Sequence, residues 1–264
     1  MVTKEFQDLK LSMLGLGAMR LPVLDGDDAK IDEAAVEKMV DYAMKQGINY
    51  YDTAYIYHGG KSEEFLGKAL AAYPRDSFYV TDKYNFQAEP DYRKQFGEQL
   101  TRLGMERIDF YLLHGIQDHF AEKMVLNGCI AYFDEQKRQG KIRYLGFSFH
   151  GTPQMLKSLL KLYAWDFVQI QLNYYDWYFQ DAKKLYEILE EAGIPVMVME
   201  PVHGGLLADL TEDAAKELMA GDTEKSQASW AMRWVMALPN IQVVLSGMSD
   251  ESQVIDNIRT FSEA

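Results

Sequence analysis

Eight short apolar runs, separated by longer stretches of helical period, are the feature that most limits what this chain can become. The runs fall at 11–18, 48–53, 78–83, 108–114, 144–149, 167–173, 195–200 and 242–247. Between them, 32–46, 62–72, 90–103, 121–139, 152–162, 180–192 and 226–237 repeat apolar residues at three- and four-residue spacings, as amphipathic helices do. Gly47, Gly140 and Gly193 stand where three of these stretches stop, the usual place for a helix-ending glycine. Strands alternating with helices read as βαβ units and a parallel sheet. No Ser/Pro-rich or low-complexity segment divides the chain, so residues 1–264 read as one domain.

Two parallel architectures accommodate such alternation. An open doubly wound sheet carries a G-x-G-x-x-G turn with an acidic residue about 20 positions on. Here Gly15-Leu16-Gly17 is followed by Ala18, Met19 and Arg20, with no third glycine. A closed barrel, typically about 250 residues, builds its site from the C-terminal ends of several strands. Asp52, Lys83, His114, Ser148, Gln169, Asn173 and Glu200 each end an apolar run or lie late in one. The expectation is an α/β fold, a closed (β/α)8 barrel of parallel strands.

Composition removes several functions. With 27 Lys plus Arg against 40 Asp plus Glu, a net charge of -13 opposes the electrostatic attraction that dominates nucleic-acid binding. The single cysteine, Cys129, excludes an intrachain disulfide and any multi-thiolate metal centre within the chain. No run approaches the roughly 20 apolar residues of a membrane helix, and the first residues lack a secretory apolar segment. A cytoplasmic protein without membrane contact is expected.

Reducing a carbonyl without a metal requires a hydride donor, an acid for the developing alkoxide, and groups that make that acid effective. A phenol serves if a neighbouring cation draws its pKa down from about 10. Tyr57 lies in a loop five residues after Asp52, Lys83 and Asp52 can pair across neighbouring strand ends, and His114 can hydrogen-bond the substrate oxygen.

At these residues the chain resembles the aldo/keto reductase family along nearly its whole length. The matching pieces are Leu14-Gly15-Leu16-Gly17, Asp52-Thr53-Ala54 with Tyr57, Gly60-Lys61-Ser62-Glu63, Thr81-Asp82-Lys83, Leu113-His114, Gly140 to Ser148, Gln169-Ile170-Gln171 and Glu200-Pro201. The resemblance implies a catalytic tetrad with Tyr57 as general acid, Lys83 and Asp52 tuning it, and His114 orienting the carbonyl. It implies extended NADPH or NADH across the barrel mouth, a small carbonyl substrate, and no metal; the loop histidines His58, His119, His150 and His203 show no ligand spacing.

Carried over position by position, the implied cofactor contacts are Gly17, Ala18, Met19, Asp52, Ser148, Phe149, Gln169, Glu200, Pro201, Val202, Gly204, Gly247, Ser249, Gln253 and Asn257. Ser148 and Gln169 match the positions that hold the nicotinamide carboxamide. Phe149 replaces the usual asparagine, with His150 as its substitute, and Met199 replaces the usual stacking aromatic residue. Gly247 and Gln253 stand where basic residues often clamp a 2′-phosphate, so NADH is as consistent as NADPH. The aromatic group Tyr174, Tyr175, Trp177, Tyr178 and Phe179 either walls a pocket or packs a loop.

Family members usually continue past the eighth strand into a further helix and a tail. This chain stops at Ala264, as a natural short form or a truncated one. The wording around Ser148 and Ser246 resembles a bacterial-type branch that often carries a ferredoxin-like tail, absent here. The alternative function is a cofactor-binding redox sensor or electron-transfer module with little turnover. No partner protein is specified.

Overall fold

Ten strands organise the computed structural model, which describes residues 1–263: β1 (Thr3–Phe6), β2 (Leu9–Ser12), β3 (Leu14–Gly17), β4 (Tyr50–Asp52), β5 (Tyr79–Tyr84), β6 (Ile108–Ile116), β7 (Ile142–Phe149), β8 (Phe167–Gln171), β9 (Val196–Met199) and β10 (Ile241–Gly247). Strands β3 to β10 close into a parallel barrel, each paired with its sequence neighbour and β10 with β3. The expected (β/α)8 barrel is the fold.

Successive side chains alternate between the faces of a strand, and here the alternation separates two cores. Tyr50, Phe110, Leu112, Tyr144, Phe167, Met197, Val243 and Leu245 fill the interior. Their sequence neighbours, such as Tyr51, Tyr111, Leu113, Leu145, Phe147, Val168, Val196 and Val244, pack outward against the helices. The same alternation, continued past the packed layer, aims Gly17, Asp52, Lys83, His114, Ser148, Gln169, Gln171 and Met199 into the upper barrel.

The first expected strand, 11–18, is two elements. Residues 9–12 belong to an antiparallel hairpin with β1, and the barrel strand starts only at Leu14. The hairpin inserts Phe6, Leu9 and Leu11 into the interior cluster. Phe6 meets Phe110, Tyr144 and Phe167 at centroid distances of 5.4, 5.0 and 6.4 Å. Its turn is tied to β7 by Asp8, which accepts from Arg143 at 2.6 Å and from the Tyr144 hydroxyl. Ser12 and Asn49 lock hairpin to barrel through reciprocal bonds of 2.8 and 3.0 Å.

The stretch 121–139 is also two helices, Asp118–Leu126 and Cys129–Arg138. Gly128 takes a left-handed φ of 84°, and Asn127 Oδ1 accepts from Cys129 N at 2.9 Å, so the chain stops and restarts there. A helix at Glu251–Ser262 follows β10, where none was expected. Asp250 caps it, and Val254, Ile258 and Phe261 bury its inner face. No helix among the described residues is long and apolar enough to cross a membrane.

Candidate active site

Three successive strand ends meet at the barrel mouth. Asp52 ends β4 opposite Thr81, and Lys83 lies on β5 opposite Leu112. The Lys83 ammonium donates to Asp52 Oδ1 at 2.7 Å, to the Thr53 carbonyl at 2.7 Å and to Tyr57 Oη at 3.3 Å. It is wholly buried, and Asp52 is 4% exposed. Tyr57 is delivered by a tight turn in which His58 and Gly59 both take left-handed φ, 51° and 62°. The His58 imidazole holds that turn by accepting from Leu21 N at 3.1 Å while its other nitrogen contacts Asp28 O at 2.9 Å. The Tyr57 and His114 rings meet edge to face at 5.9 Å.

Burial decides the charges here. It raises the Tyr57 phenol above its usual value; Lys83 pulls back without prevailing, and Asp52 adds to the rise. The expected net lowering by Lys83 is therefore reversed, because the sequence displays the cation but not the desolvation. Burial works against the Lys83 ammonium too, yet Asp52 and Tyr57 outweigh it and keep the cation firmly protonated. Asp52 is raised by burial against the pull of Lys83. Burial, aided by Lys83, pushes His114 down to about 3, so its imidazole is neutral.

Asp82 faces the opposite way from Lys83, into the layer between barrel and helices, where it meets the fully buried Glu63. Each acid has one buried oxygen without a donor. Glu63 is held by Arg102 at 2.8 Å, and Asp82 Oδ1 accepts from Lys83 N at 2.7 Å. Burial, reinforced by Glu63, raises Asp82 well above the carboxylate range.

A cavity of about 350 Å³ brings together Gly17, Met19, Asp52, Tyr57, His114, Gln169, Glu200 and Gly247, with His150 and Met199. A second, of about 300 Å³, continues from it along Glu200, Pro201, Val202, Gly204, Gly247, Ser249, Gln253 and Asn257. Both are lined by Arg20, Glu200, Leu245 and Gly247, so they form one groove from the barrel mouth to the helix Glu251–Ser262.

The groove suits an extended dinucleotide. Gln169 Oε1 is buried without a donor, as an amide awaiting a carboxamide would be, and Ser148 accepts from Gly115 N at 2.7 Å with its hydroxyl hydrogen still available. A Cβ on Gly17 would stand 3.3 Å from the Ser246 carbonyl, and one on Gly247 would press Arg20 at 3.4 Å, so both glycines keep the groove open.

Two assigned contacts point elsewhere. Phe149 directly follows the inward-facing Ser148, so alternation turns it outward to pack beside Phe147 at 6.0 Å. Ala18 is likewise buried in the outer core, where its carbonyl accepts from Ser62. Unassigned residues also line the site. Arg20 donates to the Gly204 carbonyl at 3.2 Å and approaches Glu200 at 3.7 Å, crossing the groove. Gln171 enters two residues after Gln169, as period-two alternation would have indicated.

A larger cleft, about 720 Å³, lies outside the barrel. Its Arg75, Arg102 and Arg107 are each paired with an acid, and it contains none of the strand-end groups. Among the described residues no three His, Cys, Asp or Glu side chains gather as metal ligands.

Comparison with known proteins agrees with this architecture. The profile of the aldo/keto reductase family matches residues 13–264. L-galactose dehydrogenase from Arabidopsis thaliana is 29% identical, covering 97% of this chain and 86% of its own length. An NADH-specific methylglyoxal reductase from Escherichia coli is 23% identical, covering 95% and 90%. The solved structure of a thermostable aldo-keto reductase, Tm1743, superposes with a TM-score of 0.82 at 23% identity over 100% of this chain and 95% of that one. With the barrel, the groove and a family match over nearly its full length, this chain belongs to the aldo/keto reductase family and is an NAD(P)H-dependent oxidoreductase.

Proposed function

We propose that this protein reduces aldehyde or ketone groups of small molecules to alcohols, with Tyr57 as the proton donor. The observation that carries the reading is the contact of a wholly buried ammonium, Lys83, with both Tyr57 Oη at 3.3 Å and Asp52 Oδ1 at 2.7 Å. A general acid must hold its proton until charge develops on its partner. Burial keeps Tyr57 a phenol at rest, and Lys83 stabilises the phenolate left after the proton departs. Asp52 and the Thr53 carbonyl hold Lys83 in place. His114, neutral and lining the same cavity, directs a ring nitrogen at the carbonyl oxygen.

A bound nicotinamide cofactor supplies the hydride. Ser148 and Gln169 hold its carboxamide end, while Glu200, Pro201, Val202, Gly204, Gly247, Ser249, Gln253 and Asn257 line the remainder of its path. At the far end Ser249, Gln253, Asp256 and Asn257 offer no cation, and Arg20 is engaged by Glu200 and Gly204. A ribose with a free 2′-hydroxyl suits that set better than a phosphate dianion, which favours NADH. The likeness to an NADH-specific methylglyoxal reductase supports the same preference.

The test pairs two measurements. Fluorescence titration with NADH and NADPH should give saturable binding, tighter for NADH. Tyr57→Phe should leave that binding in place and reduce turnover of small aldehydes by at least about a hundredfold. Turnover equal to the parent's would remove Tyr57 from the acid role.

A further inference from the structure

Asn85, the residue after β5, is held at every polar atom. Its backbone N–H donates to Gln95 Oε1 at 2.6 Å, and its carbonyl accepts from Gln95 Nε2 at 3.0 Å. Its side-chain oxygen accepts from two backbone N–H groups, Gln87 at 3.1 Å and Ala88 at 2.9 Å. Two donors must meet an oxygen, so the amide can be turned only one way. Its NH2 then faces His114 Nδ1 at 3.4 Å.

An amide NH2 donates and cannot accept, so Nδ1 must be the bare, accepting nitrogen of the ring. A neutral imidazole with a bare Nδ1 carries its hydrogen on Nε2. Among the described residues nothing hydrogen-bonds to Nε2, and His114 lines the catalytic cavity.

We propose that Asn85 is a positioning residue that fixes His114 as the tautomer bearing hydrogen on Nε2, so that this nitrogen can donate to a substrate carbonyl oxygen. The inference rests on the orienting role given to His114 above. The opposite tautomer would present a lone pair to the carbonyl oxygen and repel it, in an otherwise unchanged site.

Asn85→Asp tests this with little disturbance, since an aspartate accepts the Gln87 and Ala88 N–H groups as asparagine does. Its second oxygen faces Nδ1 and draws the hydrogen there. Nitrogen NMR of histidine-labelled protein, with only five histidines and a His114→Gln variant for assignment, reads the tautomer directly. The parent should show hydrogen on Nε2 and the variant hydrogen on Nδ1. In the variant kcat near neutral pH should fall about a hundredfold, the size of losing one preorganised donor.

The loss should shrink as pH falls, because the new carboxylate favours the imidazolium, which again carries hydrogen on Nε2. The titratable groups facing His114 are Lys83 with its partner Asp52, the Tyr57 phenol and His150, and all remain in the variant. Hydrogen on Nδ1 in the parent overturns the proposal, and this holds even should the variant fail to fold. An unmoved tautomer in the variant also overturns it. A moved tautomer with unchanged kcat leaves Asn85 as assigned and removes His114 from the reductase mechanism instead.

Discussion

Lys83→Met keeps most of the side chain's length and removes the ammonium that lies 2.7 Å from both Asp52 Oδ1 and the Thr53 carbonyl. Asp52, 4% exposed, would then be a buried carboxylate with no cation. Breaking one side of a buried pair costs about 3–5 kcal/mol. At about 2–4 °C per kcal/mol for a chain near this size, the melting temperature should fall by about 6–20 °C. The deficit has a definite pH dependence. Burial already holds the Asp52 carboxyl above its unfolded value with Lys83 present, and losing Lys83 raises it further. The destabilisation should be small near the unfolded value of about 4 and grow as pH rises through the folded one. Adding Asp52→Asn removes the stranded charge, so the double variant should regain most of the stability at neutral pH while remaining inactive in carbonyl reduction. Thermal unfolding across pH, with aldehyde turnover at each point, separates the two roles. A double variant as unstable as Lys83→Met, or one that reduces aldehydes at the parent rate, would refute this reasoning.

Phe6→Ala should cost about 3–5 kcal/mol by opening a cavity under the barrel, yet leave turnover per folded molecule unchanged, since the hairpin lies at the end opposite Tyr57. Denaturant unfolding beside active-site titration checks both halves; a loss of kcat would contradict the separation of floor and mouth. Asp82→Asn should flatten the alkaline side of the stability profile. A carboxyl raised by burial and Glu63 contributes stability below its unfolded value and loses it as pH rises through the folded one, and asparagine does not titrate. Parallel denaturant midpoints for parent and variant across that range would exclude the raised Asp82 carboxyl. Gln253→Arg, at the far end of the groove, should tighten NADPH by about tenfold or more through a charge-assisted bond and leave NADH nearly unchanged, read by fluorescence titration.

The barrel and the strand-end groups were legible because polar residues interrupt apolar runs at Asp52, Lys83 and His114, where a packed interior cannot take them unpaired. The hairpin was not, since Leu11 merges with Leu14 and Leu16 into one apparent run over 11–18, and only the three-dimensional closure shows what seals the barrel. The outward turn of the Phe149 ring follows from strand alternation after Ser148, which a matched position alone does not convey. The direction of the Tyr57 shift was hidden for another reason: a sequence displays the nearby cation but not how much water the folded chain removes. The role of Asn85 rests on hydrogen bonds to Gln87, Ala88 and Gln95, none of which has a spacing signature.

The plug formed by Phe6, Leu9 and Leu11 also constrains traffic. With the lower end sealed, whatever visits the interior comes and goes through a single doorway. Ser148 and Gln169 sit deep, at 1% and 2% exposure, whereas Met19 at the rim is 52% exposed. A molecule reaching from Met19 down to Gln169 therefore spans the rim and the depth of one cavity and enters it from above. A floor built from three apolar side chains leaves the mouth as the shared way in and out for everything the site holds.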